Sequence, residues 1–308
     1  MASEPFRLGL VGAGRMGATH LRALERSSEV RVVAVAEPVD ALRDAAASAH
    51  GLAAFASVDD LLDAGGVEGV LVVTPSPTHV AVIERVAGAG LPILCEKPCG
   101  VAPADTRRAA EVVARAGVAL QVAYWRRFVP ELVGLRERIG GGELGELLHL
   151  TCLQWDGSPP AARFRVSSGG IFVDMGVHEF DQSRWLTGGD LVDVAAIRAG
   201  VVTDEDAGGD PDAAQATARS TSGATVAVSL GRYYPGGDVA SVEAFGTAGH
   251  EYSLFLDPAS GEAAQLAALA RQAAAFARYA RGGPCEGATV DDAVAALEAA
   301  TAATGASG

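Results

Sequence analysis

Apolar positions in the first third of the chain come in short unbroken runs set between helical patterns. Residues 6–11, Phe-Arg-Leu-Gly-Leu-Val, form the first run, and Leu21 and Leu24 follow on a helical period. Runs at 31–36, 69–73, 92–95 and 119–122 repeat the theme, with helices expected at 39–50, 58–63, 78–88 and 103–115. Unbroken apolar runs suit strands covered on both faces, and their alternation with helices predicts a doubly wound parallel sheet. Past residue 123 the rhythm changes. A helix is expected through about 139, ended by Gly140-Gly141-Gly142, then a strand near 145–156. Alternating segments near 191–202, 213–219, 224–232 and 239–246, parted by Gly and Asp clusters, predict an open, predominantly antiparallel sheet. Residues 204–212 read as an acidic loop, and Ala-rich helices are expected at 262–281 and 290–302.

The first run leads into Gly12-Ala13-Gly14-Arg15-Met16-Gly17, a G-x-G-x-x-G between strand and helix. The first glycine allows the tight turn, the second lets a pyrophosphate approach, and the third lets helix and strand pack closely. Arg15 and Met16 open a helix whose unpaired N–H groups suit phosphate. The fold class is therefore α/β: a Rossmann domain over 1–123, then an α+β domain over 124–308. Whether helix 290–302 returns to the first domain stays open. Glu37 ends the second strand, where an acid can accept hydrogen bonds from adenosine ribose hydroxyls and repel a 2′-phosphate. This favours NAD over NADP, although Arg43 keeps NADP open, and Asp40 is a weaker candidate for the same role. Thr74, Pro75 and His79 follow the third strand, and Lys97 the fourth, at carboxyl ends where ligands of such sheets bind. A lone lysine is more often a solvated surface residue; here it can reach a substrate hydroxyl and the nicotinamide ribose.

Composition narrows the class. The chain has 308 residues, 49% of them apolar, so two cores can be built. No apolar run approaches the roughly 18–20 residues of a membrane span, and Met1-Ala2-Ser3-Glu4-Pro5 is not a signal peptide. A cytoplasmic protein is expected. The net charge of -14 argues against nucleic acid and anionic membranes. Cys95, Cys99, Cys152 and Cys285 complete no metal site and are expected as free thiols.

The most suggestive stretch is Ser168 to Asp181, running on through Arg184 and Trp185. It reads as a Gly169-Gly170 turn entering an amphipathic helix. Asp174 and His178 are four apart and share a face, with Asp181 close to it. Carboxylate, imidazole and carboxylate suit proton transfer. The plain alternative is a solvated acidic face with one satisfied histidine.

These pieces, with Cys95-Glu96-Lys97-Pro98, Arg126-Arg127-Phe128-x-Pro130 and Val242-Glu243-Ala244-Phe245-Gly246-Thr247-x-Gly249, resemble the glucose–fructose oxidoreductase/inositol dehydrogenase/rhizopine catabolism (Gfo/Idh/MocA) family over nearly the whole chain. Within it, residues 168–185 and the Arg-Arg-Phe-x-Pro crossover are most similar to inositol 2-dehydrogenases. The resemblance implies nicotinamide-dependent oxidation of a secondary ring alcohol to a ketone, with Lys97, Asp174 and His178 as the catalytic set. His178 is the expected general base, Asp174 its orienting partner, and Lys97 the donor to the developing alkoxide. It also implies that Glu96 lies with the cofactor residues, and Arg127, Asp156, Asp181 and Tyr234 with the substrate, a sugar or polyol. A homodimer or homotetramer built through the open sheet is expected. Gly176-Val177 and Glu179 depart from the inositol pattern, which carries Thr-Ile and Asp there, and the region after 255 is short. These departures bear on the substrate more than on the reaction. An NADP-linked sugar or keto-sugar reductase, and a sensor that binds without turnover, are the alternatives.

Overall fold

The computed structural model describes residues 4–202 and 208–306, and its first-half apolar runs are parallel strands. In chain order these elements are β1 (Phe6–Val11), α1 (Arg15–Leu24), β2 (Val30–Ala36), α2 (Asp40–His50), β3 (Ala53–Phe55), α3 (Val58–Ala64), β4 (Gly69–Val72), α4 (His79–Gly88), β5 (Ile93–Cys95), α5 (Pro103–Ala116) and β6 (Leu120–Val122). The sheet order is β3-β2-β1-β4-β5-β6, with every pairing parallel. Leu8, Leu10, Leu71 and Leu94 are fully buried, as strands covered on both faces require. The strand order reverses between β1 and β4, and the carboxyl ends there open the crevice where such sheets take ligands. β3 is too short and too plain, Ala-Ala-Phe, to stand out in the sequence.

The later elements are α6 (Pro130–Gly140), β7 (Leu147–Trp155), α7 (Ala162–Ser167), a π-helical turn at Phe172–Gly176 leading into α8 (Val177–Thr187), β8 (Leu191–Ala199), β9 (Ala213–Ser220), β10 (Thr225–Gly231), β11 (Val239–Gly246), β12 (His250–Leu256), α9 (Gly261–Ala280) and α10 (Val290–Ala306). The second sheet runs β12-β11-β7-β10-β9-β8. Only its β7–β10 pair is parallel among the described residues. Leu150, Cys152, Val226, Val228, Val242 and Ala244 bury one face of it. The other face presents Ile197, Phe245, Tyr252 and Leu254 to solvent. β12 and α7 are further elements that the hydrophobic pattern did not disclose. In the expected acidic loop, residues 204–207 lie outside the described residues, whereas Asp210 and Asp212 are turned inward.

Contacts divide the chain into two compact units: 1–100, 104–125 and 266–293 in the first; 101–103, 126–265 and 294–308 in the second. The stretch 266–293, expected with the second domain, thus belongs with the first. Its Phe276 meets Phe6 edge to face at 5.8 Å, and Ala273 and Ala277 join the core around Leu8. The return comes largely from α9, rather than from the last helix. No described helix is long and apolar enough to cross a membrane.

Gly12 takes φ +102°, and a Cβ there would lie 2.8 Å from the Val73 carbonyl oxygen. Both facts demand glycine. Gly12→Ala is expected to lower unfolding free energy by about 1–3 kcal/mol from backbone strain alone. Thermal melting checks this, and an unchanged Tm would contradict it.

Candidate active site

In the first unit, β1 delivers the chain into the glycine turn, and the Gly12 N–H donates to Ala36 O at 2.9 Å. Gly14 caps α1, and nothing lies within 4 Å of where its Cβ would stand. At Gly17 a Cβ would come 2.3 Å from Gly12 O, so helix and turn touch through bare backbone. Arg15 is exposed and Met16 half-buried in the first turn, whose N–H groups lack intrahelical acceptors. The space before Gly14 and these donors fit the pyrophosphate of a dinucleotide.

Glu37 stands beside this turn in a role the sequence did not announce. Its Oε2 accepts from the Ala13 N–H at 2.8 Å and its Oε1 from the Val39 N–H at 3.0 Å. The carboxylate thus ties the end of β2 to the glycine turn. It retains lone pairs for a ribose hydroxyl, since a carboxylate offers about four acceptor sites. Arg43 pairs with Asp40 at 2.8 Å and Asp44 at 3.4 Å.

The loops after β4 and β5 are tied in the same manner. The Thr78 hydroxyl reaches Thr74 Oγ1 at 2.8 Å and Pro75 O at 2.7 Å, bracing the first loop. His79 was expected to touch ligand. It is buried instead, with Nε2 2.7 Å from Thr74 O and Nδ1 2.9 Å from Pro98 O. Burial holds its imidazole below the ordinary pKa, against the pull of both carbonyls. Glu96, also expected at the cofactor, is buried and engaged by His20 Nε2 at 2.8 Å and by the Lys97 N–H at 3.1 Å. Lys97 is half-buried, and its bond to Pro98 is cis. Of the 24 lysines and arginines in the chain, Lys97 is the only lysine. A surface that uses arginine throughout has kept one compact ammonium, at a strand's carboxyl end, a compositional signal that marks the position.

In the second unit, Asp174 sits in the π-helical turn, and His178 in the first turn of α8. The segment is not the amphipathic helix expected. Val177 to Ser183 are all buried, so each ionised group needs a partner inside the protein. Asp174 Oδ2 receives Arg232 Nη1 at 3.0 Å, and Arg232 Nε meets Asp210 at 2.8 Å. Glu179 pairs with Arg126, which also bonds Gln154. Burial pushes the Glu179 carboxyl up, and Arg126 opposes this. Arg127 and Asp181, both expected on the substrate, form a buried two-point pair, Nε–Oδ2 3.0 Å and Nη2–Oδ1 2.6 Å. Asp156 accepts from Gln154 Nε2 at 2.8 Å, and burial raises its pKa. Tyr234 is 41% exposed and joins Asp156 through the backbone, its N–H donating to Asp156 O at 2.8 Å. Arg232, Asp210 and His20 escaped the sequence reading. Single polar residues at the end of a strand or inside a helix carry no periodic signal; only the side chains they meet distinguish them.

Two family models cover the chain: an oxidoreductase family with an NAD-binding Rossmann fold over residues 6–124, and a GFO/IDH/MocA C-terminal domain over 133–251. The rhizopine catabolism protein MocA of Rhizobium meliloti is 50% identical over 97% of this chain and 94% of its own length. The chain belongs to the Gfo/Idh/MocA oxidoreductase family. An inositol 2-dehydrogenase of Rhizobium meliloti strain 1021 is 36% identical over 79% of this chain and 74% of its own. A solved myo-inositol dehydrogenase from Corynebacterium glutamicum superposes with a TM-score of 0.89 at 27% identity, covering 98% of this chain and 96% of that one. Residues 6–124, most of the first unit, match the NAD-binding Rossmann domain of this family.

Burial alone would push the Glu96 carboxyl up. Its hydrogen bond with His20 and the charge of Lys97 outweigh that and hold it below the usual carboxylate range. A carboxyl lowered by folding adds stability that is present above its unfolded pKa and lost as pH falls through the folded value. Glu96→Gln is therefore expected to lose about 1–3 kcal/mol at pH 7. The gap should close as pH drops below the ordinary 4.5. Denaturant unfolding from pH 7 to 3 measures it; a gap independent of pH would rule out the charged hydrogen bond.

Proposed function

We propose that this oxidoreductase oxidises a secondary ring hydroxyl of a cyclitol or sugar, myo-inositol-like, to the ketone, with NAD as acceptor. The observation that carries the reading is the Asp174–His178 segment. A carboxylate anchored by Arg232 lies one turn before a buried imidazole, in a family whose similar members are named inositol dehydrogenases. His178 takes the hydroxyl proton as general base, since imidazole ordinarily exchanges protons near neutral pH. Asp174 orients the ring and favours its protonated form. Lys97 donates a hydrogen bond to the oxygen as negative charge develops, an interaction that strengthens towards the transition state. When bound, the nicotinamide supplies the hydride acceptor. Asp156, raised by burial, and Tyr234 line the substrate side; the Arg127–Asp181 pair supports it as a fixed frame.

NAD is favoured over NADP because Glu37 places a carboxylate at the end of β2, and because Arg43 is already held by Asp40 and Asp44. The 50% identity to the rhizopine catabolism protein favours a second reading of the substrate, a rhizopine, with the same residues in the same roles. The open sheet face, with Ile197 70% exposed on β8 at one edge and Tyr252 and Leu254 exposed on β12 at the other, supports a homodimer or homotetramer. The acidic, arginine-rich chain is read as cytoplasmic.

The test is the initial rate of reduced-cofactor formation with myo-inositol, scyllo-inositol, glucose and a rhizopine, each with NAD and NADP. NAD-linked turnover of an inositol supports the first reading, and turnover confined to the rhizopine supports the second. NAD binding without turnover of any of them favours a sensor. His178→Ala is expected to cut kcat by about 100-fold or more, the scale of a positioned acid–base group; near-normal turnover would remove His178 from the mechanism. Glu37→Ala is expected to narrow the NAD-to-NADP ratio of kcat/KM by about tenfold, the effect of roughly 1.4 kcal/mol of lost discrimination. An unchanged ratio would remove Glu37 from cofactor choice.

A further inference from the structure

Two buried histidines flank the loop that carries Lys97. His20 reaches in from α1, the helix that begins at the glycine turn, and His79 opens α4. His20 Nε2 lies 2.8 Å from Glu96 Oε1, while Glu96 Oε2 takes the Lys97 N–H at 3.1 Å. His79 Nδ1 lies 2.9 Å from Pro98 O, while its Nε2 reaches Thr74 O at 2.7 Å. The residue before Lys97 and the residue after it are therefore each pinned by an imidazole. We propose that His20 and His79 are positioning residues for Lys97, fixing its backbone from both sides and coupling it to the cofactor turn and to the Thr74 loop. The inference rests on the catalytic role proposed for Lys97.

The chemistry of each contact supports this. His20 Nδ1 is buried without a hydrogen-bond partner, so the ring proton belongs on Nε2, aimed at the Glu96 carboxylate. A carbonyl oxygen only accepts and a neutral imidazole carries one N–H, so His79 donates to Pro98 O or to Thr74 O, one at a time. Lysine has a flexible four-carbon stem, and its reach is defined only if its backbone is fixed. A shift of about 1 Å in a group that must meet a developing charge can cost about 100-fold in rate. The titratable groups facing Glu96 are His20 from α1, Lys97 in its own loop, Cys95 from β5 and His79 from α4. Those facing His79 are Glu96 and Lys97.

The single lysine makes the test direct. Full-length protein labelled with 15N-lysine gives one backbone amide signal, that of the N–H bonded to Glu96. In the wild type this signal is expected to be single and constant from pH 8 to 5. In His20→Leu it should move with pH across that range, because a buried carboxylate without its donor takes up a proton. In His79→Leu it should broaden or split, with KM for NAD raised about tenfold through the released Thr74 loop. Both variants should lose at least about tenfold in kcat on whichever substrate of the panel the wild type turns over, at an unfolding midpoint near that of the wild type. His20→Gln and His79→Gln, which keep N–H donors, should restore signal and rate. A lysine amide signal in both leucine variants that overlays the wild type at every pH overturns the proposal. Should those variants not fold, 15N-histidine labelling of the wild type decides: an Nε2–H tautomer at His20 is required, and an Nδ1–H tautomer overturns the brace. Lys97→Arg separates the two readings. Retained turnover in that variant removes Lys97 from the reaction; because it also removes the only lysine, the brace is read from the lysine amide signal of the His20 and His79 variants.

Discussion

Charge taken out of water governs the second unit. The segment from Phe172 to Thr187 is buried almost throughout, yet carries Asp174, His178, Glu179 and Asp181. An unpaired buried charge costs several kcal/mol, so each carboxylate there requires a cation fixed beside it. Arg126 and Arg127 supply two of these from the crossover before α6, and Arg232 supplies the third from the end of β10. The pairing explains why the adjacent Arg126 and Arg127 and the distant Arg232 are all buried. It also explains the Glu179 that departs from the inositol-like pattern, since its longer side chain meets Arg126. Asp210 then sits against Arg232, so Asp174 ends a line of alternating charges.

The first unit meets a milder form of the same demand. Loops at the carboxyl ends of parallel strands expose backbone groups that no neighbouring strand can satisfy. Here side chains take them: Glu37 receives Ala13 and Val39, His79 faces Thr74 and Pro98, and Glu96 receives Lys97. Several side chains that a motif reading assigns to the cofactor thus hold the frame around it. The place that fits a pyrophosphate is made of backbone, the open approach at Gly14 and the first turn of α1. This division suits a nucleotide-binding fold, in which fixed N–H donors recognise phosphate without reorganising.

Such a frame can serve many alcohols. In the second unit, Asp156 and Tyr234, which we propose face the substrate, are joined through the backbone near the Pro235-Gly236-Gly237 bend. Their surroundings are set by strand ends, while the Arg127–Asp181 pair is locked.

The sequence by itself determined the alternation of strand and helix, the place of the glycine turn, the two sheets, and the stretch holding Asp174 and His178. Those features depend on local periodicity and on turn chemistry, which are written into neighbouring residues. Tertiary structure decided the rest. It turned Glu37, His79, Glu96, Arg127 and Asp181 towards other protein groups, and brought in His20, Arg232 and Asp210. It replaced the expected amphipathic helix with a buried one entered through a π-helical turn, and moved much of α9 to the first unit's core. A polar side chain carries no local mark of its partner. Whether it meets ligand, solvent or a distant arginine depends on which surfaces become buried together, and only the folded chain fixes that.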